Sequence, residues 1–387
     1  MSHPASVSII VKGYYQRSIV ETTAGGLRHE LGQNPSFAIF FATPDYMAFL
    51  PEIIEAIKTH GGVPLVVGCS TSGLMGKGTE IEGAPGFSLQ FFNIPDSKIT
   101  PVLLQPGTLK THQDAEHLAP DRIKLWVTLI NPFYFVIEDW LETWNSLYPG
   151  IPVFGGVAAA HAKLPEAWVF LDDQIIPGAI ALAIEGHFGA YLLVSQGCQP
   201  LGTPLQITKS DRNLVYTLND QSAHDLFNAA YQEALQKNPA LTPRQILAGV
   251  VIPSTENPSE RDSFLIRNIF GNDVQNGALS LGYTPSLGQT FQFHQRDPHS
   301  ASLDLEILLE KAATQLKDKN VFGAFICTCT GRGETFFGSP HHDAKMFMRF
   351  FPQISLSGFF SQGEIGPIGK SSFSHEQSTS IVIFYET

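Results

Sequence analysis

Three parts of the chain repeat one order of apolar and polar positions. In each, a short apolar run is followed by apolar residues at helical spacing, by a second apolar run that ends in a glycine-rich loop, and by an alternating or β-branched run. The glycine-rich stretches are PLVVGCSTSGLMGKG (64–78), IPVFGGVAAAHAKLP (151–165) and QISLSGFFSQGEIGP (353–367). The pattern predicts three repeats of strand, helix, strand, loop and strand.

Each predicted repeat contains the parts of a parallel crossover. The helical segments DYMAFLPEIIEAIKTH, FVIEDWLETWNSLYPG and HHDAKMFMRFF each separate two strand-like runs. A strand, a helix and a second parallel strand form a right-handed crossover whose helix covers one face of the sheet. We expect the last strand of each repeat to run antiparallel. The predicted fold class is therefore α/β in the mixed α+β sense, with mixed sheets flanked by helices.

The length of 387 residues is more than one core usually supports, so two domains are expected. Two repeats lie before residue 190 and the third after residue 320. Between them, 187–300 is rich in predicted strands around one helix, QSAHDLFNAAYQEALQK, for which Ser222 is the predicted N-cap. Glycine and proline in GCQPLGTP interrupt the pattern. We place the domains at 1–200 and 201–387.

Composition and charge narrow the classes of partner. The chain is 43% hydrophobic and 16% charged, which is typical of a folded globular protein. Its formal charge of -12 disfavours binding to nucleic acid or anionic lipid. The N-terminus does not resemble a signal peptide, and no apolar run is long enough for a membrane span. We expect a cytoplasmic protein with no nucleic-acid partner and no membrane insertion.

Cysteine and histidine spacing predicts neither disulfides nor a metal site. The four cysteines are scattered and form no CxxC pair, so we expect them to be reduced. The thirteen histidines form no HxxxH or HxxE pattern, and the adjacent pair in HHD (341–343) would point in different directions. Nucleotide-binding motifs of the types GxGxxG and GxxxxGK[ST] are absent.

An arginine and an acid in two glycine-rich loops are the leading ligand-binding candidates. Arg332 precedes Gly333 just after a predicted strand, in CTGRGETFFG. Glu364 follows Gly363 and is a carboxylate inside the third glycine loop. A guanidinium fork suits a carboxylate, which would belong to a ligand, to Glu364 or to Glu334. The alternative is a purely structural bridge between two loops.

Two alternating strands supply further candidates. Arg267, in FLIRNIFG, shares a face with apolar neighbours, so it requires a buried ion pair or an anionic ligand. His294 and Arg296, in TFQFHQRD, share a face with each other.

The loop GCSTSG contributes Cys69, Ser70 and Thr71 as candidates, because loops after parallel strands commonly contact ligands. An enzyme would need an activated thiol, Cys69 or Cys198. No histidine or lysine precedes Lys77 in the loop, so an inert buried thiol is favoured.

The same motifs carry a family resemblance. GCSTSGLMGKGTEIEGAPGFSLQFF resembles the N-terminal signature of the FIST family, and the blocks SQGCQPLGTPLQIT, FLIRNIFG, GQTFQFHQRD, CTGRGETFFG and GFFSQGEIGP resemble successive blocks that run into its C-terminal domain. The resemblance implies two FIST domains, the second of a type also found with F-box modules. It implies a cytoplasmic, non-catalytic sensory protein with an amino acid or related carboxylate metabolite as its ligand.

The resemblance leaves other expectations open. The FIST domains leave no sequence for a kinase, a methyl-accepting module or an F-box, so we expect the output to pass to a separate signalling protein. A homo-oligomer stays open. One branch of the family binds haem and senses nitric oxide, so a haem gas sensor is an alternative function, although no histidine here can be assigned as the axial ligand. The other alternative is a Cys-dependent hydrolase or transferase.

Overall fold

The computed structural model describes residues 3–104, 118–134, 136–159, 166–252, 264–273 and 276–387. The chain forms two compact units. The first unit comprises 1–195, 306–374 and 378–387, and the second comprises 196–305 and 375–377. The domain boundary at residue 200 remains a prediction from the sequence. Part of the second glycine-rich stretch, 160–165, lies outside the described residues.

The first unit contains the three predicted repeats. In each, two strands pair in parallel across a helix, and a third pairs antiparallel with the first of them. Listed as strand, helix, strand and antiparallel strand, they are β2 Phe37–Ala42, α2 Leu50–Gly61, β3 Val66–Ser70 and β6 Gly86–Asn93; β8 Ile123–Ile130, α3 Ile137–Leu147, β9 Val153–Val157 and β12 Ala179–Glu185; and β21 Val321–Cys329, α7 His342–Phe350, β22 Leu356–Ser361 and β25 Thr379–Tyr385. The predicted mixed α+β fold class is confirmed.

Short strands after the loops join the repeats in a cycle. The strand β4 (Gly73–Gly76) of the first repeat pairs with β22 of the third. The strand β23 (Glu364–Ile368) of the third repeat pairs with β9 of the second. The strand β10 (Val169–Leu171) that follows the second repeat's loop pairs with β3 of the first. Each sheet is therefore completed by another repeat.

The remaining elements of the first unit extend these sheets or pack on them. The helix α1 packs on α2, and its apolar side is buried. The elements are β1 Ala5–Lys12, α1 Arg17–Leu31, β5 Thr79–Glu82, β7 Lys98–Leu104, β11 Gln174–Ile176, β13 Gly189–Ser195, α6 Glu334–Phe337 and β24 Ser371–His375. The helix α5 (Pro298–Gln315) has residues in both units.

A glycine occupies the same position in all three repeats for a steric reason. In each parallel pair, the second strand has a glycine directly opposite a residue of the first. A Cβ on this glycine would lie only 1.8, 1.8 or 2.1 Å from the backbone oxygen of the opposite residue, too close for any side chain. The pairs are Gly68 with Phe40, Gly155 with Thr128, and Gly358 with Ile326.

The apolar core of the first unit receives aromatic side chains from all three repeats. The Phe41 ring centroid lies 4.6 Å from that of Phe359 and 5.2 Å from that of Phe325. The Phe154 ring is 4.8 Å from Phe325. All four side chains are fully buried. Burial of large aromatic side chains is a major source of stability, so this core holds the repeats together.

The second unit is built on a closed antiparallel sheet. Its strands follow the order β14, β20, β17, β18, β19, β15, and β15 pairs back to β14. The helix α4 (Ala223–Lys237) begins at Ser222, whose Oγ accepts the Asp225 N–H at 3.3 Å, which confirms the predicted cap. The strands are β14 Cys198–Asp211, β15 Leu214–Leu218, β16 Gln221–Ser222, β17 Ile246–Val251, β18 Phe264–Asp273, β19 Ala278–Leu281 and β20 Thr290–Arg296.

Candidate functional site

Arg332 lies in the loop that leaves the carboxyl end of β21, and its carboxylate partner is Asp343. The guanidinium donates from Nε to Asp343 Oδ2 at 2.9 Å and from Nη2 to Oδ1 at 3.1 Å. Both side chains are fully buried. The Arg332 guanidinium also lies 5.2 Å from the centroid of the Phe337 ring. Two parallel hydrogen bonds fix the orientation of the guanidinium as well as its charge.

Sequence reasoning considered Glu364 and Glu334 as partners of Arg332 and missed Asp343. The helix α7 begins at His342, so its first turn carries Asp343 back over the loop that holds the arginine. The signal in the sequence is an acid in the first turn of a predicted helix, where it faces back toward the preceding loop. The expected bridge between an arginine and a carboxylate therefore exists with a different acid.

His342 also contacts the Asp343 carboxylate, at the oxygen that Arg332 Nη2 bonds. Its Nδ1 lies 2.8 Å from Asp343 Oδ1, and its ring stacks on Phe337 with centroids 3.5 Å apart. Burial raises the pKa of Asp343, but the nearby Arg332 and His342 outweigh that effect and hold the pKa below its ordinary value. Asp343 is therefore ionised at neutral pH.

A second buried acid, Glu80 of β5, lies beside this pair. Its Oε1 accepts the Ala344 N–H at 2.9 Å, while its Oε2 is buried and has no hydrogen-bond partner among the residues that the structure describes. Glu80 is only 6% exposed. Burial and then the negative charge of Asp343 raise the pKa of Glu80 to about 8. Two neighbouring acids are thus held in opposite protonation states at neutral pH.

The hairpin that carries Glu80 is bonded to the Arg332 loop at further points. The Glu80 N–H donates to His341 Nδ1 at 2.9 Å. Glu82, on the same face of β5, accepts the Glu334 N–H at 2.9 Å. A Cβ on Gly333 would lie 1.8 Å from Glu82 Oε2, so glycine is needed for this approach. We call Glu80, Glu82, Arg332, His342 and Asp343 the acid–arginine cluster.

Glu364 occupies a strand and not the predicted glycine turn. It is the first residue of β23, lies opposite Gly156 of β9, and is fully buried. Its Oε2 accepts the Ser378 Oγ–H at 2.7 Å and the Ser378 N–H at 3.3 Å. The loop therefore ends before Glu364, because pairing with another repeat takes Glu364 into the sheet.

The hydroxyl groups at the ends of β3 and β22 form hydrogen bonds between repeats. Thr71 Oγ1 lies 2.8 Å from the Phe360 oxygen and accepts the Gly73 N–H at 3.2 Å. In the equivalent place, Ser361 Oγ accepts the N–H groups of Gly363 and Val157, each at 3.1 Å. These bonds position Thr71 and Gly363 at junctions between repeats.

Ser70 and Cys69 are equally enclosed. Ser70 Oγ accepts the Trp168 N–H at 2.8 Å. Cys69 is fully buried, and burial raises the pKa of its thiol. Cys327, also fully buried, has a pKa raised by burial and then by Cys69 and Glu364. The thiols therefore stay protonated at neutral pH.

The candidates in the second unit lie on opposite faces of one sheet. Arg267 is opposite Ala248, which is opposite Phe293, so Arg267 shares a face with Phe293. His294 follows Phe293 on β20, so it faces the other way together with Arg296. One small ligand at this sheet therefore cannot contact Arg267 and His294 from a single face.

These second-unit side chains also have contacts within the sheet. Arg267 is almost fully buried, donates from Nη1 to the Ile266 oxygen at 3.1 Å, and lies 5.6 Å from the Tyr283 ring. The ring of His294 lies 5.2 Å from that of Phe264. A ligand-binding role for Arg267, His294 and Arg296 stays a prediction.

Within the described part of the chain, no group of three or more His, Cys, Asp or Glu side chains is arranged to hold a metal ion. None of the helices described there is both long enough and apolar enough to cross a membrane.

Two family models match this chain. The model of the FIST N domain matches residues 36–221, and that of the FIST C domain matches residues 228–367. Together they cover more than half of the chain, including β5 with Glu80, Arg332 and α7.

Relatives with similar sequences include two mycobacterial proteins of similar length. An uncharacterised protein of Mycobacterium tuberculosis is 26% identical over 96% of this chain and 97% of its own length. One from Mycobacterium bovis is 28% identical over 96% of each. Human F-box only protein 22 is 26% identical over 26% of this chain and 27% of its own length.

Among solved structures, a crystal structure of cyanuric acid hydrolase from A. caulinodans aligns over all of both chains. The TM-score is 0.29 and the sequence identity is 8%, a likeness too weak to support an argument about fold or function.

Proposed function

We propose that this chain, which belongs to the FIST family, is a non-catalytic sensory protein that binds an amino acid or a related small carboxylate metabolite at the acid–arginine cluster. The observation that carries the proposal is the carboxyl of Glu80, buried beside the Arg332–Asp343 pair with one oxygen that no described residue bonds. On this proposal, the output passes to a separate signalling protein.

The place of the cluster in the fold supports a binding role. Ligands of open α/β sheets bind beyond the carboxyl ends of parallel strands. Arg332 and Asp343 lie on the connection that leaves the carboxyl end of β21, and Glu80 and Glu82 of β5 accept hydrogen bonds from that connection. The acids of β5 and the connection that they contact therefore come from two different repeats.

The charges of the cluster suit a zwitterion. An amino acid would place its ammonium on the Glu80 carboxyl and its carboxylate toward the Arg332 guanidinium and the His342 ring. The His342 side chain is 15% exposed, which provides an approach from solvent. Because Arg332 already pairs with Asp343, the ammonium of the ligand would supply the positive charge that an ionised Glu80 otherwise lacks.

The burial of Cys69 argues against an enzyme that uses this thiol as its nucleophile. A Cys-dependent hydrolase or transferase needs a thiolate, which requires a nearby base or cation. Cys69 is fully buried, and its pKa is raised by that burial. This favours the inert interpretation of Cys69 over the nucleophilic one.

A thermal-shift screen would test the proposal. Each common L-amino acid, with simple carboxylates beside it, would be added to the wild type, to Glu80→Gln and to a matched control, Glu185→Gln. Glu185 is also a buried strand acid of the first unit, but it lies on β12 near Lys98. Saturating ligand should add about 2–3 kcal/mol of stability at roughly 100 times Kd.

The expected result is a rise in Tm for the wild type and for Glu185→Gln, and a much smaller rise for Glu80→Gln. No shift with any amino acid or carboxylate in the wild type would contradict the proposed ligand class. Equal shifts in Tm for all three proteins would show that the ligand binds somewhere other than the acid–arginine cluster.

A further inference from the structure

We infer that Glu80 is a proton-exchange site, at which the ammonium group of the ligand replaces a proton on the Glu80 carboxyl and that proton leaves to water. The inference rests on the proposed function and specifies its ligand: a molecule with an ammonium group is recognised, while the matched 2-hydroxy or 2-oxo acid is rejected. The argument depends on which groups surround the carboxyl and on how they are already paired.

The first step concerns the unliganded state. Glu80 Oε1 accepts the Ala344 N–H, the nearby Asp343 N–H also favours the carboxylate form, and Oε2 has no hydrogen-bond partner among the described residues. A carboxylate buried with one bonded oxygen loses most of its hydration without compensation, which strongly disfavours ionisation. The carboxyl therefore keeps its proton when no ligand is bound, in agreement with the raised pKa of about 8.

The second step is that the charged groups around Glu80 do not supply a cation to it. From α7, Asp343 adds negative charge, and His342 is bonded to Asp343. From the loop after β21, Arg332 also bonds Asp343, while His341 accepts the Glu80 N–H at Nδ1 and so has no proton on that nitrogen. On its own strand, Glu82 is a further acid.

The exchange is balanced in atoms and charge. The O–H bond of the Glu80 carboxyl breaks, its proton passes to water, and the electron pair stays on the oxygen as the carboxylate that accepts an N–H from the ligand ammonium. No oxidation or reduction takes place. A 2-hydroxy or 2-oxo acid has no cation to compensate the carboxylate, so it cannot drive the proton out.

Titration calorimetry would measure the exchange directly. The amino acid with the largest thermal shift is titrated at pH 7 in phosphate, imidazole and Tris buffers. The slope of observed enthalpy against buffer ionisation enthalpy then gives the number of protons released. We expect close to one proton for the wild type and for Glu185→Gln, and an affinity that rises about tenfold per pH unit below pH 8. Glu80→Gln should bind at least about tenfold more weakly and release none.

Infrared spectroscopy provides a test that needs no ligand. The ligand-free wild type at pH 7 should show the C=O stretch of a protonated carboxyl, which the Glu80→Gln variant lacks and which disappears when the amino acid binds. If the wild type and Glu80→Gln have the same carboxyl spectrum at pH 7, Glu80 is ionised and the inference is wrong, whatever the ligand.

The outcomes distinguish a failure of the proton exchange from a failure of the proposed function. If amino acids bind without release of a proton, or if the matched 2-hydroxy acid binds equally well, the exchange fails while the proposed function stands. If no amino acid or carboxylate binds, the proposed function fails and the exchange fails with it. If Glu80→Gln does not fold, the buffer series on the wild type still shows whether a proton is released. The infrared spectrum of the wild type still shows whether a protonated carboxyl disappears when the amino acid binds.

Discussion

Arg332 and Asp343 form a bidentate ion pair in which both side chains are fully buried, with N–O distances of 2.9 and 3.1 Å. The pair joins the loop after β21 to the first turn of α7. A buried pair stabilises little compared with apolar packing, but loss of one partner leaves the other charge buried without compensation. This asymmetry makes the role of the pair measurable.

Replacement of Asp343 should destabilise the first unit strongly. We expect Asp343→Ala to lower the free energy of unfolding by about 3–5 kcal/mol, because the Arg332 charge would remain buried. The double variant Arg332→Met, Asp343→Leu should recover much of that loss. Urea unfolding followed by tryptophan fluorescence is a suitable measurement, since Trp126, Trp140, Trp144 and Trp168 all lie in the first unit.

An exposed pair provides the control for this comparison. Arg349 and Glu306 form an ion pair at the surface of the first unit. Solvent screens such pairs, so Glu306→Ala should change the unfolding midpoint by little. A loss in Asp343→Ala no greater than that in Glu306→Ala would show that the buried pair is not required for stability.

The free energy of unfolding should depend on pH through Glu80 and should decrease as pH rises, which is the opposite of the usual effect of an acid. Its pKa is raised from an ordinary value of 4.5 to about 8, so the folded state keeps a proton that the unfolded chain has already released. Between these values, stability therefore falls as pH rises. At about 1.4 kcal/mol per pH unit, the total is on the order of 3–5 kcal/mol. The pH effect of Asp343 has the opposite sign. Its pKa is lowered in the folded state, so its contribution to stability is lost in acid.

Urea midpoints measured at intervals from pH 5 to pH 9 would show the Glu80 contribution as a difference between proteins, with the range chosen to span its titration. Glu80→Gln should have a flatter profile than the wild type over this range, whereas Glu185→Gln should keep the wild-type slope. Parallel profiles for all three proteins would mean that Glu80 titrates near its ordinary pKa.

The three repeat glycines should not tolerate alanine. In Gly68→Ala, the new Cβ would lie 1.8 Å from the Phe40 oxygen, and the parallel strands would have to separate. We expect a loss of at least about 3 kcal/mol or failure to fold. Gly25, in α1, has no neighbouring atom within 4 Å of a new Cβ. Gly25→Ala should therefore be neutral or stabilising by about 0.5–1 kcal/mol, and a similar loss in both variants would refute the steric explanation.

The cysteines should differ in reactivity according to burial. Cys69, Cys198 and Cys327 are buried, whereas Cys329 is partly exposed. With iodoacetamide at neutral pH, mass spectrometry should find Cys329 labelled first, and Cys69 and Cys327 only after unfolding. Rapid alkylation of native Cys69 would support the Cys-dependent enzyme over the proposed sensor.

Local patterns in the sequence predicted the repeated elements well. Apolar spacing located the crossovers and the third strand of each repeat, and a serine at the start of the helix indicated the cap at Ser222, because period and capping depend on residues close together in the chain. The side-chain alternation of β20 was also predicted, and it places His294 and Arg296 on one face.

Tertiary structure alone decided which residues meet. Sequence reasoning could not foresee that β23 pairs with another repeat, which takes Glu364 into a sheet, or that α7 brings Asp343 to Arg332. It missed Glu80 because nothing within β5 marks one acid as buried. The sequence by itself determined the repeated elements, since these follow from short-range periodicity. Only the folded chain decided the site, since Glu80 and Glu82 reach the Arg332–Asp343 pair through contacts between residues more than two hundred positions apart.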